Sequence, residues 1–230
     1  MTLYSTAKLK IEKDLDLEDE EFVQPSEMME YFNDGLREAQ QEVLTIYEDY
    51  FLTKAYLPLV NGTSTYSLPS DIYANKIRGI IYQNSDLIYE IKRIRTPHKF
   101  LDRHILRFED PTDYYTYILL NDSTSGFQIE ISPVVKETSS TNVTIWYLRD
   151  IAMIDSDSDY VDKDIPECLN FIYAYVKAQC LKKENGGIMP DDARASLEQQ
   201  RKLLVDTLTN MIPDDDNEII KDMSFYEEIS

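Results

Sequence analysis

Val143-Thr-Ile-Trp-Tyr-Leu148, Asp155-Ser-Asp-Ser-Asp159 and Asp164-Ile-Pro-Glu167 are the three parts of the stretch that decides the fold. The first is an apolar, β-branched and aromatic run that predicts a strand, and the second is an acidic loop. The third opens a segment whose apolar residues recur at helical spacing. Strand patterns precede this stretch and helix patterns follow it, so it predicts a β module held between helical segments.

Three segments carry the apolar stripe of an amphipathic helix. The first begins at Pro25, and the other two are separated by Asn185-Gly-Gly187, a typical helix end, and by Pro190, a typical helix start. The stripe residues are Met28, Phe32, Leu36, Ala39, Val43, Ile46 and Tyr50; then Leu169, Ile172, Tyr173, Val176 and Cys180; then Ala193, Leu197, Leu204, Leu208 and Met211. Burying each large apolar side chain stabilises by about 1.5–3 kcal/mol before entropy is counted, so we expect the helices to pack together.

The residues between the first and second stripes change to the patterns of strands and turns. Runs at 56–60 and 63–67 flank Asn61-Gly62, the commonest signal of a tight hairpin. Runs at 76–82 and 87–91, and at 114–120 and 126–131, form two further hairpin candidates. Consecutive hairpins predict an antiparallel sheet or a small sandwich.

The predicted fold is therefore α+β, a three-helix layer with an antiparallel β module inserted between the first and second main helices, plus extended terminal arms. We expect an N-terminal arm or a lightly packed first element at 1–24, the helical layer at 25–52 and 164–212, the β module at 53–150, and a docking tail at 213–230. The tail is predicted to dock because it carries Ile219, Ile220, Met223, Phe225, Tyr226 and Ile229.

Charge excludes the usual nucleic-acid binders, because 43 acidic residues outweigh 23 basic ones for a net charge of −20. The densest basic patch, at 91–99 with Arg103 and Arg107 beyond it, fits either an acidic partner segment or a solvated strand edge. No apolar run approaches the roughly 20 residues of a membrane span, and no signal-peptide core is present. Cys168 and Cys180 share one predicted helix about 18 Å apart along its axis, so they are expected to be core residues.

The acidic loop is the one candidate for a metal site. Asp155, Asp157 and Asp159 match the ligands at the first, third and fifth positions of a calcium-binding EF-hand loop. The match then fails, because Tyr160 stands where the turn needs glycine and Pro166 stands where the bidentate glutamate belongs. No nucleophile motif accompanies His98 and His104, and no phosphate-binding loop is present. The sequence thus predicts no catalytic, metal or cofactor-binding residues, and no enzyme.

Tyrosine is abundant, with 17 residues in the chain. Tyr114, Tyr115 and Tyr117 cluster on one predicted strand, where alternation places Tyr115 and Tyr117 on one face. Three interpretations remain open at this point: packing within the sheet, a protein–protein interface, and a glycan platform.

The order of several short motifs resembles that of a known family. They are Phe32-Asn-Asp-Gly-Leu-Arg-Glu-Ala-Gln-Gln-Glu-Val43 on a helix, then Tyr66-Ser-Leu-Pro-Ser-Asp71, Phe127-Gln-Ile-Glu-Ile-Ser-Pro133, Thr144-Ile-Trp-Tyr-Leu-Arg149 and the helix start at Asp164. This arrangement resembles the head-to-tail connector adaptors of tailed bacteriophages, the portal-docking ring proteins of the tail tubular protein A type. The composition would also suit a ring protein of a crAss-like phage.

The resemblance implies a structural virion protein, assembled in the host cytoplasm, that sits at the head–tail interface. It implies a ring, usually of twelve copies, that docks on the portal protein, contacts other tail or ring proteins and lets DNA pass without binding it. The helical layer would pack between neighbours, the β module would face the next ring, and the tail would dock on the portal. We expect subunit contacts at Tyr115, Tyr117, Arg93 and Arg95. The alternative is an acidic soluble binding module for a protein, calcium or a glycan.

Overall fold

Two compact units make up the protein, whose computed structural model describes residues 1–16, 22–95, 114–124 and 126–211. One unit is Met1–Tyr50 together with Ile151–Ser230, and the other is Phe51–Asp150. The described residues form four α-helices in the first unit and two sheets in the second. The predicted α+β class is confirmed.

The helical unit is built on α1 (Tyr4–Asp14), α2 (Pro25–Ile46), α3 (Leu169–Glu184) and α4 (Asp191–Thr209). A hydrogen bond between the backbone and a side chain stabilises the start of α2, because the Gln24 N–H donates to Glu27 Oε2 at 2.9 Å. A short 3₁₀ turn at Pro166–Cys168 leads into α3. The helix ends where Gly186 adopts a φ of +65°, a left-handed conformation that favours glycine.

Helix α3 is the centre of this unit and packs against α1, α2 and α4. Its residues Phe171, Ile172 and Tyr173 are all buried although they are consecutive, so α3 is covered on more than one side. Close packing against α2 occurs at Gly35, where an added Cβ would lie 3.2 Å from Cδ1 of Tyr175. The core of the unit is therefore built around α3.

The expected extended arm at the N-terminus is wrong for residues 4–14, which form helix α1. The apolar residues of this segment are sparse, but Tyr4, Ala7 and Ile11 fall at helical spacing and are all buried. The Tyr4 ring meets the Phe32 ring edge-on, with centroids 5.3 Å apart. At the other end of α1, Nζ of Lys177 lies 2.6 Å from a carboxylate oxygen of Asp14. A few well-placed side chains thus attach α1 to the helical core.

Removing the hydroxyl group of Tyr4 is expected to stabilise the protein. This oxygen is buried and has no hydrogen-bond partner among the described residues, and burial raises the pKa of Tyr4 to about 12. A buried unpaired polar group costs about 1–3 kcal/mol, so Tyr4→Phe should raise the free energy of unfolding by about 1 kcal/mol while keeping the ring contact. Chemical denaturation of the two proteins measures this difference. A clear loss of stability in the phenylalanine variant would contradict it.

The described residues of the second unit form two four-stranded sheets. Sheet I has the strand order β1–β8–β3–β4, and sheet II has the order β2–β7–β6–β5. The strands are β1 Leu52–Leu59, β2 Thr65–Ser67, β3 Ile72–Gln83, β4 Ile88–Glu90, β5 Lys92–Arg93, β6 Thr116–Asp122, β7 Gly126–Ser132 and β8 Ser139–Arg149.

The two sheets share one hydrophobic core. The unit is therefore a sandwich, which was one of the two alternatives that the sequence predicted. Strand β8 shows how the core forms, since Val143, Ile145 and Tyr147 are buried while the alternate residues Thr144 and Trp146 are only half-buried. The core residues of both sheets and their connections are Leu57, Leu59, Tyr66, Ile80, Tyr82, Ile91, Tyr117, Ile129, Ile131, Val135, Val143, Ile145 and Tyr147. Each sheet therefore has an inner face and an outer face.

Two of the three hairpins are confirmed, because β3 pairs with β4 and β6 pairs with β7. The prediction of a hairpin at Asn61-Gly62 is wrong, since β1 pairs with β8 and β2 pairs with β7. A tight turn does form there: the Thr63 N–H donates to the Val60 carbonyl at 3.0 Å, and Gly62 has a φ of +81°. This turn moves the chain from sheet I to sheet II. The module is also not purely antiparallel, because β5 and β6 pair in parallel.

Candidate interaction surfaces

Both cysteine side chains are buried in the helical core. Cys168 and Cys180 are free thiols, each at most 2% exposed. Burial raises the pKa of both, that of Cys180 to about 11, so neither thiol is ionised near neutral pH. Both histidines, His98 and His104, lie outside the described residues.

The acidic loop is organised by hydrogen bonds to its own backbone. Oδ2 of Asp159 accepts from the N–H groups of Asp155 at 2.9 Å and Ser156 at 2.8 Å. These bonds lower the pKa of the Asp159 carboxyl because they stabilise its charged form. Across the described ranges, no group of three or more His, Cys, Asp or Glu is placed to hold a metal ion. The loop geometry thus gives no support to the calcium interpretation.

The same loop holds the start of α1. The first N–H groups of a helix have no partner within the helix, and here the Tyr4 N–H donates to the carbonyl of Asp159 at 2.8 Å. Asp162, only 7% exposed, accepts at Oδ2 from the Thr2 hydroxyl at 3.2 Å. The loop therefore caps and anchors α1, a role that the sequence did not reveal.

Tyrosine rings form a cluster on the sandwich unit. Tyr89 is central: its ring centroid lies 4.7 Å from that of Tyr114 and 5.1 Å from that of Tyr82. The Tyr115 N–H donates to the Tyr89 hydroxyl at 3.1 Å. The cluster borders a groove of about 350 Å³, whose other lining residues include Leu87, Pro133 and Val134. Tyr115 is half-buried against the sandwich core beside this groove, and Tyr114 is exposed.

Tyr117 does not lie at that surface. Its side chain is 5% exposed and belongs to the sandwich core, so its prediction as a subunit-interface residue is wrong. Arg93, which pairs in register with Tyr117, is exposed on β5 at the edge of sheet II, and Arg95 just beyond it is exposed too. The remainder of the basic patch, from residue 96 onward, lies outside the described residues.

The outer face of sheet I carries an aromatic surface that the sequence analysis missed. Trp146, the single tryptophan of the chain, lies half-buried on β8, with Lys54 opposite it on β1 and Gly79 opposite it on β3. Nζ of Lys54 lies 5.5 Å from the centroid of the Trp146 ring. In the next row, Tyr56 is 59% exposed. A groove of about 490 Å³ on this face is lined by Lys54, Tyr56, Ile81, Gln83, Asn84, Ser85, Thr141, Asn142, Thr144 and Trp146.

We call this face the Trp146 face. The signal that could have found it is alternation, because Lys54 and Tyr56 on β1 and Thr144 and Trp146 on β8 each occupy every second position. What the sequence lacked was the pairing of β1 with β8, which brings these residues side by side.

Charge is divided unequally between the two units. Residues 51–150 contain 11 Lys and Arg and 11 Asp and Glu, so the sandwich unit is formally neutral. The remaining residues contain 12 Lys and Arg and 32 Asp and Glu, so the helical unit carries the whole net charge of −20. This unit repels nucleic acid and other acidic surfaces.

The predicted docking tail lies beyond these surfaces. Ile219, Ile220, Met223, Phe225, Tyr226 and Ile229 all fall outside the described residues. Helix α4, which precedes the tail, ends at Thr209.

The described residues thus offer aromatic and apolar surfaces suited to partner proteins, which is the character of a structural adaptor. The sequence matches the SU10 adaptor protein family over residues 2–218, nearly the whole chain, and the chain belongs to this family. It is a bacteriophage adaptor protein, a virion component that interacts with other phage head or tail proteins, and such families are typically non-enzymatic. No curated protein matches the chain. None of the described helices is long and apolar enough to cross a membrane.

Proposed function

We propose that this protein forms a head-to-tail adaptor ring between the portal and the tail, through which DNA passes. The observation that carries the proposal is the family match over residues 2–218, together with the motif order that resembles the tail tubular protein A type and crAss-like ring proteins. A ring adaptor needs protein-binding surfaces rather than a ligand site, and the exposed aromatic residues supply such surfaces.

In this proposal about twelve copies form the ring. Tyr115, Arg93 and Arg95 contribute to contacts between subunits. The tail after residue 212 docks on the portal. The charge of −20 on the helical unit would keep passing DNA from sticking to the channel, because like charges repel.

Mixing the purified protein with its cognate portal protein and imaging the mixture by electron microscopy tests the proposal. We expect portal particles with an added ring of density, and we expect no added ring on an unrelated portal. A protein that neither binds the cognate portal nor associates with itself would overturn the proposal. Binding to a tail protein alone would place the protein elsewhere in the tail.

A further inference from the structure

The division of charge limits which surfaces identical copies can share. Two copies that meet through their helical units bring together surfaces of the same sign, since that unit carries the whole −20. Apposing like charges is costly, and high net charge favours the monomeric state. The sandwich carries equal numbers of positive and negative residues, so contact through it avoids this repulsion. Electrostatic repulsion between two copies is therefore smaller when they associate through the sandwich than when they associate through the helical unit.

On the sandwich, the Trp146 face has the composition of an interface centre. Tryptophan and tyrosine are the residues that most often dominate binding energy, and charged residues are depleted where interfaces are fully buried. Among the described residues that line the groove of this face, Lys54 is the one that carries a charge. Beside Trp146, a Cβ added to Gly79 would meet no atom within 4 Å, so there is open space for a side chain from another molecule.

We infer that the Trp146 face is a contact surface between copies of this chain and receives the sandwich of a second copy. The inference rests on the proposed ring and identifies one side of its subunit contact. A ring of more than two copies joins two different surfaces of each subunit. The Trp146 face is one of these two surfaces.

Gly79→Arg tests the inference because it fills the open space beside Trp146. The substitution should not disturb the fold, since the φ of Gly79 is not left-handed and its Cβ position is open. Thr65→Arg on β2 of sheet II adds the same side chain at another exposed strand position and is the matched control. Tyr56→Asp is a second test, because that side chain is 59% exposed and contributes little to folding. Thermal unfolding checks that all three variants fold.

Each variant is titrated alone by mass photometry and is imaged with the cognate portal by electron microscopy. Gly79→Arg and Tyr56→Asp should need at least about tenfold more protein to form rings, whereas Thr65→Arg should resemble the wild type. Rings of both variants at wild-type concentrations would overturn the inference and leave the proposed function standing. Weaker portal binding with unchanged self-association would also overturn it, since the portal would then occupy the face. A wild-type protein that forms no ring with or without portal would overturn both.

Discussion

Replacing Phe32 with alanine is expected to lower the free energy of unfolding by about 3–5 kcal/mol. Phe32 is fully buried on α2, and its ring meets that of Tyr4 on α1. The substitution leaves a cavity in the core that holds two helices together, and it removes an aromatic pair worth about 0.5–1.5 kcal/mol. We expect α1 to be the first element affected, because it has only three buried side chains of its own.

Urea unfolding followed by circular dichroism measures this loss through the helical signal. Phe32→Leu is the matched variant, because it keeps most of the buried volume and should cost clearly less than the alanine change. Leu203→Ala on α4 is the surface control, since that side chain is 51% exposed and its removal should change stability by less than about 0.5 kcal/mol. The fluorescence of Trp146 gives a separate signal for the sandwich unit. An unchanged helical transition in Phe32→Ala would contradict the described core.

The helices were predictable because their signal is local. On α2, five of the seven predicted stripe residues are buried, from Met28 to Val43. Spacing of three and four residues places side chains on one face whatever the rest of the chain does. Ile46 and Tyr50 remain half-buried, since the first is the last residue of α2 and the second lies beyond it.

The strand pairing was less predictable because pairing joins residues that are far apart in the sequence. Asn61-Gly62 does form a turn, as its residues require, but a turn does not decide whether the flanking strands pair with each other. Here β1 finds its partner in β8, more than 80 residues later, and β2 finds its partner in β7. The assignment of Tyr117 failed for a related reason. Alternation separates two faces of a strand but does not say which of them meets the other sheet.

Helix α1 was missed because its stability comes from distant partners. Residues 4–14 are mostly polar, and a short isolated helix of this kind is marginal in water. Its first N–H groups are satisfied by the acidic loop about 155 residues later in the chain, and its ring contact is with α2. The sequence argues against a calcium site in this loop, because Tyr160 and Pro166 depart from the EF-hand pattern. Its capping role becomes visible only when both segments are placed in space.

Deleting Asp214–Ser230 is expected to abolish assembly onto the portal without unfolding the protein. The deleted segment carries six large apolar residues in an otherwise acidic stretch, a composition that predicts docking on a partner. The fold should survive, because α4 ends at Thr209 and its last buried side chain is Leu208. Co-sedimentation with the cognate portal measures assembly, and thermal unfolding measures the fold. Portal binding should fall to background while the unfolding temperature stays close to that of the intact chain.

A full-length variant separates the apolar contribution of the tail from its charge. Replacing the six apolar residues with serine keeps every acidic residue and the length of the tail, and it should lose portal binding as completely as the deletion. If serine replacement retains binding while the deletion loses it, the acidic residues rather than the apolar ones carry the contact. Normal assembly of the truncated protein would refute the docking role of the tail. Because the tail variants leave the Trp146 face intact, they should still associate with themselves, so portal docking and ring formation can be tested independently.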